Sequence, residues 1–437
     1  MRIPRAPRLA AATITLVACG ALLTAAPASA GTPQGAPQST PAGTPQGAPQ
    51  GTPQGTPQGP VAMGTSVSAV IAGYPVWAHF TNPSSGRDYT IHSELRRLID
   101  AAPASSTIKG AIHSLSIDWI ADALLRAQNR GVTVMVVIDG KNQASTDPAV
   151  ATIKRLTYHK FCQNSSGGRA CISTSADGDM HTKMFTFSRT TDPNGTARSN
   201  AVWFGSANLT YSSGTDAYNN TVTVYGDSTL ASGFNANFSD MWNRRHYTGN
   251  DYYDAGSGRG YYLSAAADAY ASPEGHNQTD TIVNRLNDIT PDTNCRLRIG
   301  MAAVTGGRPG LVTQVKRMRA GGCRVWMVVG GNSTNGISMS QSVYNDLLYA
   351  GVKIHRRDKV HDKFFLAYGK YGTTYRYRLY TGSQNWTQDA LNENDEIFVK
   401  MAWETGNTHP LYTGYYNHFN SAYNYGVICT TGNYPCR

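Results

Sequence analysis

The chain has 437 residues, with 38 Lys and Arg against 28 Asp and Glu, and carries a formal charge of +10. At 40% hydrophobic and 15% charged residues it is neither wholly disordered nor fibrous, and its length suits one large duplicated unit or two domains. The positive balance suits an anionic partner, nucleic acid or phospholipid headgroup, without choosing between them.

Residues 1–30 read as an export signal: Arg2, Arg5 and Arg8 form a basic start, Leu9 to Thr24 an apolar core and Ala28-Ser29-Ala30 a small-residue cleavage site. The apolar run is too short and Ala-rich for a membrane span. Leu16-Val17-Ala18-Cys19 also resembles a lipobox, so lipid anchoring at Cys19 is the alternative to cleavage after Ala30. Loss of the three arginines lowers the charge from +10 to +7. Residues 31–60 repeat Gly-Thr-Pro-Gln and Gly-Ala-Pro-Gln almost without charge, a tract with nothing to bury that is expected to be a disordered spacer. The mature protein is expected to be secreted and monomeric.

From residue 61 the pattern of elements is written twice, as halves 61–250 and 251–437, with the boundary in the Gly/Tyr-rich stretch 249–260. In the first half, apolar periodicity predicts a helix over 91–101, a strand over 106–115, a helix over 119–129 and an apolar strand over 132–138. The second half repeats this over 281–289, 295–304, 310–320 and 323–329. Strands alternating with short helices predict βαβ units. Each half continues with strands (184–187, 200–205, 221–225; then 364–367, 375–382, 396–401) and a late helix (228–242; 412–423). The fold class expected is α/β: duplicated α/β/α sandwich halves with mixed, largely parallel sheets related by a pseudo-two-fold axis.

Six cysteines follow the signal, an even number in an exported chain, which favours disulfides over metal or catalytic roles. Pairing of neighbours, Cys162 with Cys171, Cys295 with Cys323 and Cys429 with Cys436, is the simplest of the connectivities. No Cys/His spacing suggests a zinc site, and neither metal nor cofactor is expected.

The chemistry lies in two short motifs. His181-Thr182-Lys183 is followed by Gly205-Ser206-Ala207-Asn208, and His361-Asp362-Lys363 by Gly382-Ser383-Gln384-Asn385. Each half supplies an imidazole, an ammonium, a hydroxyl and an amide in one order, the inventory that phosphodiester chemistry needs twice. Two residues apart on a strand, His and Lys face the same way, and glycine lets the backbone approach closely. Two halves packed symmetrically bring the histidines face to face. The other histidines, His113 and His418 among them, are expected to be structural or solvated, and most tyrosines to be packing residues. Arg356-Arg357 reads equally as an extension of the phosphate site or as a surface pair. The loops at 140–146, 305–309 and 330–342 follow core strands and are expected to rim the cleft.

These residues resemble the signature of the phospholipase D superfamily, H-x-K-x4-D with a downstream G-S-x-N, given twice. The resemblance implies a two-step mechanism: His181 attacks phosphorus to give a phosphohistidine, while His361 protonates the leaving alcohol and then activates water. Lys183, Lys363, Asn208 and Asn385 would hold the non-bridging oxygens, and Ser206 and Ser383 would touch substrate. Glu396 stands where a carboxylate orients a catalytic imidazole, whereas the first half has Asn219 there, with Asp216 close enough to substitute. The Asp of the signature is replaced by Ser188 and Tyr368, as it is absent from tyrosyl-DNA phosphodiesterases. The resemblance implies hydrolysis of glycerophospholipid at a membrane surface. A metal-independent nuclease acting on nucleic acid and a non-catalytic phosphate-binding protein are the alternatives.

Overall fold

The computed structural model describes residues 65–404 and 408–437. The export signal, the Cys19 lipobox and the spacer lie outside these residues.

The first half opens with a hairpin, β1 (Ser66–Ile71) and β2 (Tyr74–Thr81). It continues through α1 (Thr90–Asp100), β3 (Thr107–Ile112), α2 (Asp118–Asn129), β4 (Thr133–Ile138), α3 (Pro148–Ile153) and β5 (Tyr158–Phe161). A meander of β6 (Met184–Thr191), β7 (Ala197–Gly205), α4 (Tyr211–Thr215) and β8 (Asn219–Val224) follows, and α5 (Ser228–Trp242) closes the half. The eight strands lie in the order β1-β2-β8-β7-β6-β3-β4-β5.

The second half begins with β9 (Tyr261–Leu263), β10 (Ala267–Ser272), α6 (Thr281–Asn287), β11 (Arg296–Met301), α7 (Pro309–Ala320) and β12 (Arg324–Val329). A small ribbon of β13 (Gly331–Asn332) and β14 (Gly336–Ile337) precedes α8 (Gln341–Tyr349) and β15 (Lys353–Arg356). Next come β16 (Lys363–Tyr371), β17 (Thr374–Gly382), α9 (Gln388–Asn392), β18 (Glu396–Met401), α10 (Pro410–Tyr423) and β19 (Val427–Ile428). The nine-stranded sheet runs β19-β15-β12-β11-β16-β17-β18-β10-β9.

The duplicated α/β architecture is as expected, but parallel pairing is the minority. In the first sheet only β3-β4 and β4-β5 are parallel, and in the second only β11-β12 and β12-β15. Helical crossovers join those adjacent strands; the strands from β6 to β8 and from β16 to β18 are joined by short turns or single-turn helices, and such neighbours run antiparallel. The hairpins β1-β2 and β9-β10 extend the sheets beyond what periodicity predicts.

Three cores define five layers. Helices α1 to α3 pack on the outer face of the first sheet, where α1 buries Ile91, Leu95, Leu98 and Ile99 along one stripe. Helices α6 to α8 do the same for the second sheet. Between the sheets a shared core takes Phe234 and Phe238 from α5 with Tyr415 and Phe419 from α10, together with Phe204 and Phe364. Disulfides join Cys162 to Cys171, Cys295 to Cys323 and Cys429 to Cys436.

Candidate active site

The two halves are stitched together at their motifs. His181 N–H donates to the carbonyl of Asp395 at 3.0 Å, and His361 N–H donates to that of Tyr218 at 3.0 Å. Asp395 and Tyr218 each immediately precede the strand whose first residue reaches across to the histidine. Thus His181 Nδ1 donates to Glu396 Oε1 at 2.7 Å, and His361 Nδ1 donates to Asn219 Oδ1 at 2.8 Å. Since each acceptor fixes the proton on Nδ1, Nε2 is the nitrogen left for chemistry. Each imidazole is therefore oriented by the opposite half.

Asp216 does not substitute for the missing carboxylate. It forms an exposed ion pair with Lys359 at 2.8 Å and leaves His361 to the Asn219 amide.

Both motif lysines are buried, at 3% and 2% exposure, and each ammonium folds back onto its own histidine's carbonyl, Lys183 at 2.5 Å and Lys363 at 2.7 Å. Burial pushes both ammonium groups down, Lys363 to about 7 and Lys183 well below its usual range. Burial also holds both imidazoles well below the ordinary histidine value, and the charges of Lys183 and Lys363 add to it. Glu396 is pushed up by burial to about 7, against the pull of Lys183. Such a concentration of buried cationic groups is poised for an anion, which would restore the charged forms.

The glycine of each G-S-x-N is required by packing: a Cβ at Gly205 would stand 2.3 Å from the Asn220 carbonyl, and at Gly382 2.2 Å from that of Ile397. Ser206 and Ser383, expected to touch substrate, are fully buried instead. Ser206 Oγ donates to Asn219 Oδ1 at 2.9 Å, and Ser383 Oγ donates to Glu396. They hold the groups that hold the histidines. The carbonyl of Asn208 is fixed by His92 at 2.9 Å and that of Asn385 by Arg308 at 3.0 Å, while both Oδ1 atoms are buried without a partner.

A cleft of about 380 Å³ opens beside His361, lined by Asn208, Ser212, Ser213, Asn332, Ser338 and Lys359. Of the loops expected to rim it, the one after β12 does so through Gly330, Gly331 and Asn332. Beside His181 the corresponding strand ends carry larger side chains, His113 and Lys141. His113, buried rather than solvated, packs edge-on against the His181 ring at 4.5 Å, and Lys141 Nζ lies 2.5 Å from His113 Nε2. Lys141 adds to the cationic field on His181 and Lys183. Sequence reading passed over His113 and Lys141 because the second half has Ala302 and Asn332 at the corresponding strand ends, so no repetition marked them. His113, Asp139 and Asp179 bring potential metal-ligand atoms within 4.8 Å of one another. Lys141 against His113 and Arg169 against Asp179 (2.8 Å) already place cations there. The second motif's middle residue, Asp362, is buried and accepts from His418 at 2.9 Å and Asn220 at 2.7 Å. Arg356 is buried beside Asp358 (3.1 Å), and Arg357 donates to the Tyr425 carbonyl and the Tyr218 hydroxyl, so the pair serves the loop before the motif.

Two H-x-K motifs facing each other, each imidazole oriented from the opposite half over buried ammonium groups, define a protein built around a phosphoryl group. The family model described as "Cardiolipin synthase, PLD-like domain" matches residues 95–242 and 293–421, and the chain belongs to this phospholipase D-like family, whose members are phosphodiesterases or phosphotransferases. Among solved structures the chain is similar to phosphatidylserine synthase of Haemophilus influenzae, at 11% identity and a TM-score of 0.54, over 83% of this chain and 89% of that one. It is also similar to polyphosphate kinase of Porphyromonas gingivalis, at 11% identity and a TM-score of 0.48; 74% of this chain is covered but only 47% of the kinase. Nuc of Salmonella typhimurium, a phospholipase D family member, matches at 20% identity with a TM-score of 0.30, covering 38% of this chain and 98% of its own. Comparison with the curated proteins returns no match.

Proposed function

We propose that the chain is a secreted phospholipase D-type phosphodiesterase that hydrolyses glycerophospholipid to phosphatidate and a free headgroup alcohol. The observation that carries this reading is the inequality of the two histidines: His181 is backed by a buried carboxylate and His361 by a neutral amide. A carboxylate behind the imidazole stabilises the cation that forms when Nε2 attacks phosphorus, so His181 is the nucleophile. An amide gives no such stabilisation, so His361 surrenders its proton readily and is the general acid.

In the first step the His181 Nε2–P bond forms as the P–O bond to the headgroup breaks, and the His361 Nε2 proton passes to the departing oxygen. In the second, His361 takes a proton from water, the resulting hydroxide bonds to phosphorus, and the P–N bond breaks. Lys183, Lys363, Asn208 and Asn385 hold the non-bridging oxygens, where charge develops. The leaving group sits in the cleft beside His361. Among the described residues that line the cleft none is Phe, Tyr or Trp, the platforms on which bases usually stack, which favours a headgroup over a nucleotide. The three disulfides suit an extracellular protein.

The test offers the mature protein, in EDTA, mixed-headgroup phospholipid vesicles and plasmid DNA in parallel, with His181→Ala as control. Headgroup release that disappears in the variant is the expected result. DNA cleavage alone would transfer the mechanism to a nuclease, and silence on both would leave a phosphate-binding protein.

A further inference from the structure

Away from the cleft, the second half carries a cavity of about 440 Å³ between β11 and α10 that the proposed reaction does not use. Its floor is Arg296 and Arg298, two residues apart on one face of β11, and its walls are Tyr368, Tyr377, Tyr412 and Tyr416. Arg298 lies about four residues before Ala302 at the catalytic cleft, roughly 13 Å along the strand. This places the cavity at the far end of the same sheet.

The two guanidinium groups are held but not neutralised. Arg298 is sandwiched between the rings of Tyr416 at 4.5 Å and Trp326 at 4.7 Å, a stacking that fixes its plane. Arg296 Nη1 donates to the carbonyls of Thr293 and Cys295, each at 2.8 Å. Among the described residues no carboxylate lies within ion-pair distance of either arginine. The nearby Glu404 carboxylate is engaged by the backbone N–H groups of Leu411 and Tyr412, at 2.7 and 3.0 Å, so the start of α10 offers the ligand nothing. The tyrosines form a connected wall: Tyr377 lies 4.4 Å from Tyr368 and 4.8 Å from Tyr412 between ring centres. His409, against Tyr377 at 4.5 Å, has a left-handed backbone (φ 44°) and a buried Nδ1 without a partner.

The duplication supplies an internal comparison. In the first half the same niche lies between β3 and α5, with Thr107 and Lys109 at the positions of Arg296 and Arg298 and Ser188 at that of Tyr368. It encloses about 270 Å³, and α5 contributes Ala231 and Asn235 where α10 contributes tyrosines. The common architecture requires neither the guanidinium pair nor the aromatic wall, so both are particular to the second half.

We propose that this cavity is a binding site for a phosphate ester, its phosphoryl group on Arg296 and Arg298 and its ring or sugar against the tyrosines. Two rigid guanidinium forks match the charge and the several oxygens of a phosphomonoester, whereas a carboxylate would occupy only one. The attached group distinguishes two sources, a nucleotide or a phosphorylated glycerol headgroup, which share the phosphoryl contact.

The experiment is calorimetric titration of AMP, glycerol 3-phosphate and inorganic phosphate into the mature protein and its Arg298→Gln, Tyr377→Ser and Lys363→Gln variants, with thermal melting as a check on folding. A saturable component weakened at least tenfold by Arg298→Gln and kept in Lys363→Gln is the expected result. Tyr377→Ser, which leaves both arginines in place, should weaken the organic phosphate but not inorganic phosphate. Tighter AMP assigns the ring to a base, and tighter glycerol 3-phosphate assigns the site to a lipid headgroup. Binding lost only with Lys363→Gln, or no saturable binding by any probe, overturns the proposal.

Discussion

At the residue scale, the account turns on what stands behind each imidazole. Replacing Asn219 with Asp puts a carboxylate behind His361 and should raise its pKa, moving the alkaline limb of the kcat/KM profile, where the general acid loses its proton, upward by about 1–2 units, since an adjacent opposite charge favours the imidazolium. A profile superimposable on wild type would show that His361 is not the titrating acid. Lys363, with its ammonium lowered to about 7, gives a second pH test. The charged form exists below that value and is lost as pH rises through it, so inhibition by sulfate, itself fully ionised, should weaken above pH 7. Lys363→Arg should flatten that fall, leaving only what the similarly lowered Lys183 contributes, because a guanidinium does not titrate there.

The motif residues were legible at this scale because they recur: His, Lys, Ser and Asn appear twice in one order. The hydrogen bonds of Ser206 to Asn219 and of Ser383 to Glu396 were not legible, because a sequence does not say which way a hydroxyl after a strand turns. His113 and Lys141 have no counterpart in the second half, and so stayed hidden.

At the element scale, the strands and loops at the seam fix the site. Asp395 receives three backbone N–H groups from the opposite half, those of Cys171 at 2.7 Å, Ile172 at 3.0 Å and Ser173 at 2.8 Å. Asp395→Ala strands these donors in a buried place and should cost about 3 kcal/mol or more by denaturant titration. A shift below 1 kcal/mol would mean that the loop is held by other contacts. Gly205→Ala drives a methyl into the Asn220 carbonyl and should reduce activity sharply while circular dichroism stays close to wild type. Helix and strand positions in the βαβ blocks were readable from periodicity, and α5 spans the expected residues 228–242. The terminal hairpins were not: β1 and β9–β10 mix Ser, Ala and Tyr without clean alternation, and their place at a sheet edge is decided by long-range pairing to β8 and β18. Strand direction was missed although Asp192-Pro193-Asn194-Gly195 after β6 and Gly372 after β16 are turn-forming residues between two apolar runs, because the βαβ pattern of the preceding blocks was extended over the strands that follow.

At the scale of the whole molecule, neither half holds a complete site. Each histidine takes its orienting acceptor from the opposite half, and a shared core fills the space between the sheets. Residues 61–250 and 251–437 expressed separately should be inactive, and activity should return only when the two associate; turnover by either half alone would show that one motif suffices. The duplication thus explains both why the fold could be read and why the site is asymmetric. The halves share their frame, and divergence at Asn219 and Glu396, and at His113 and Ala302, gives the two histidines different surroundings. The most direct measurement is rapid-quench peptide mapping of the covalent intermediate, under alkaline conditions, using a short-chain phospholipid and the His361→Ala variant to slow its hydrolysis. The account predicts a phosphatidyl group on His181 alone. An adduct on another residue of that variant, or hydrolysis with no covalent adduct, would contradict it.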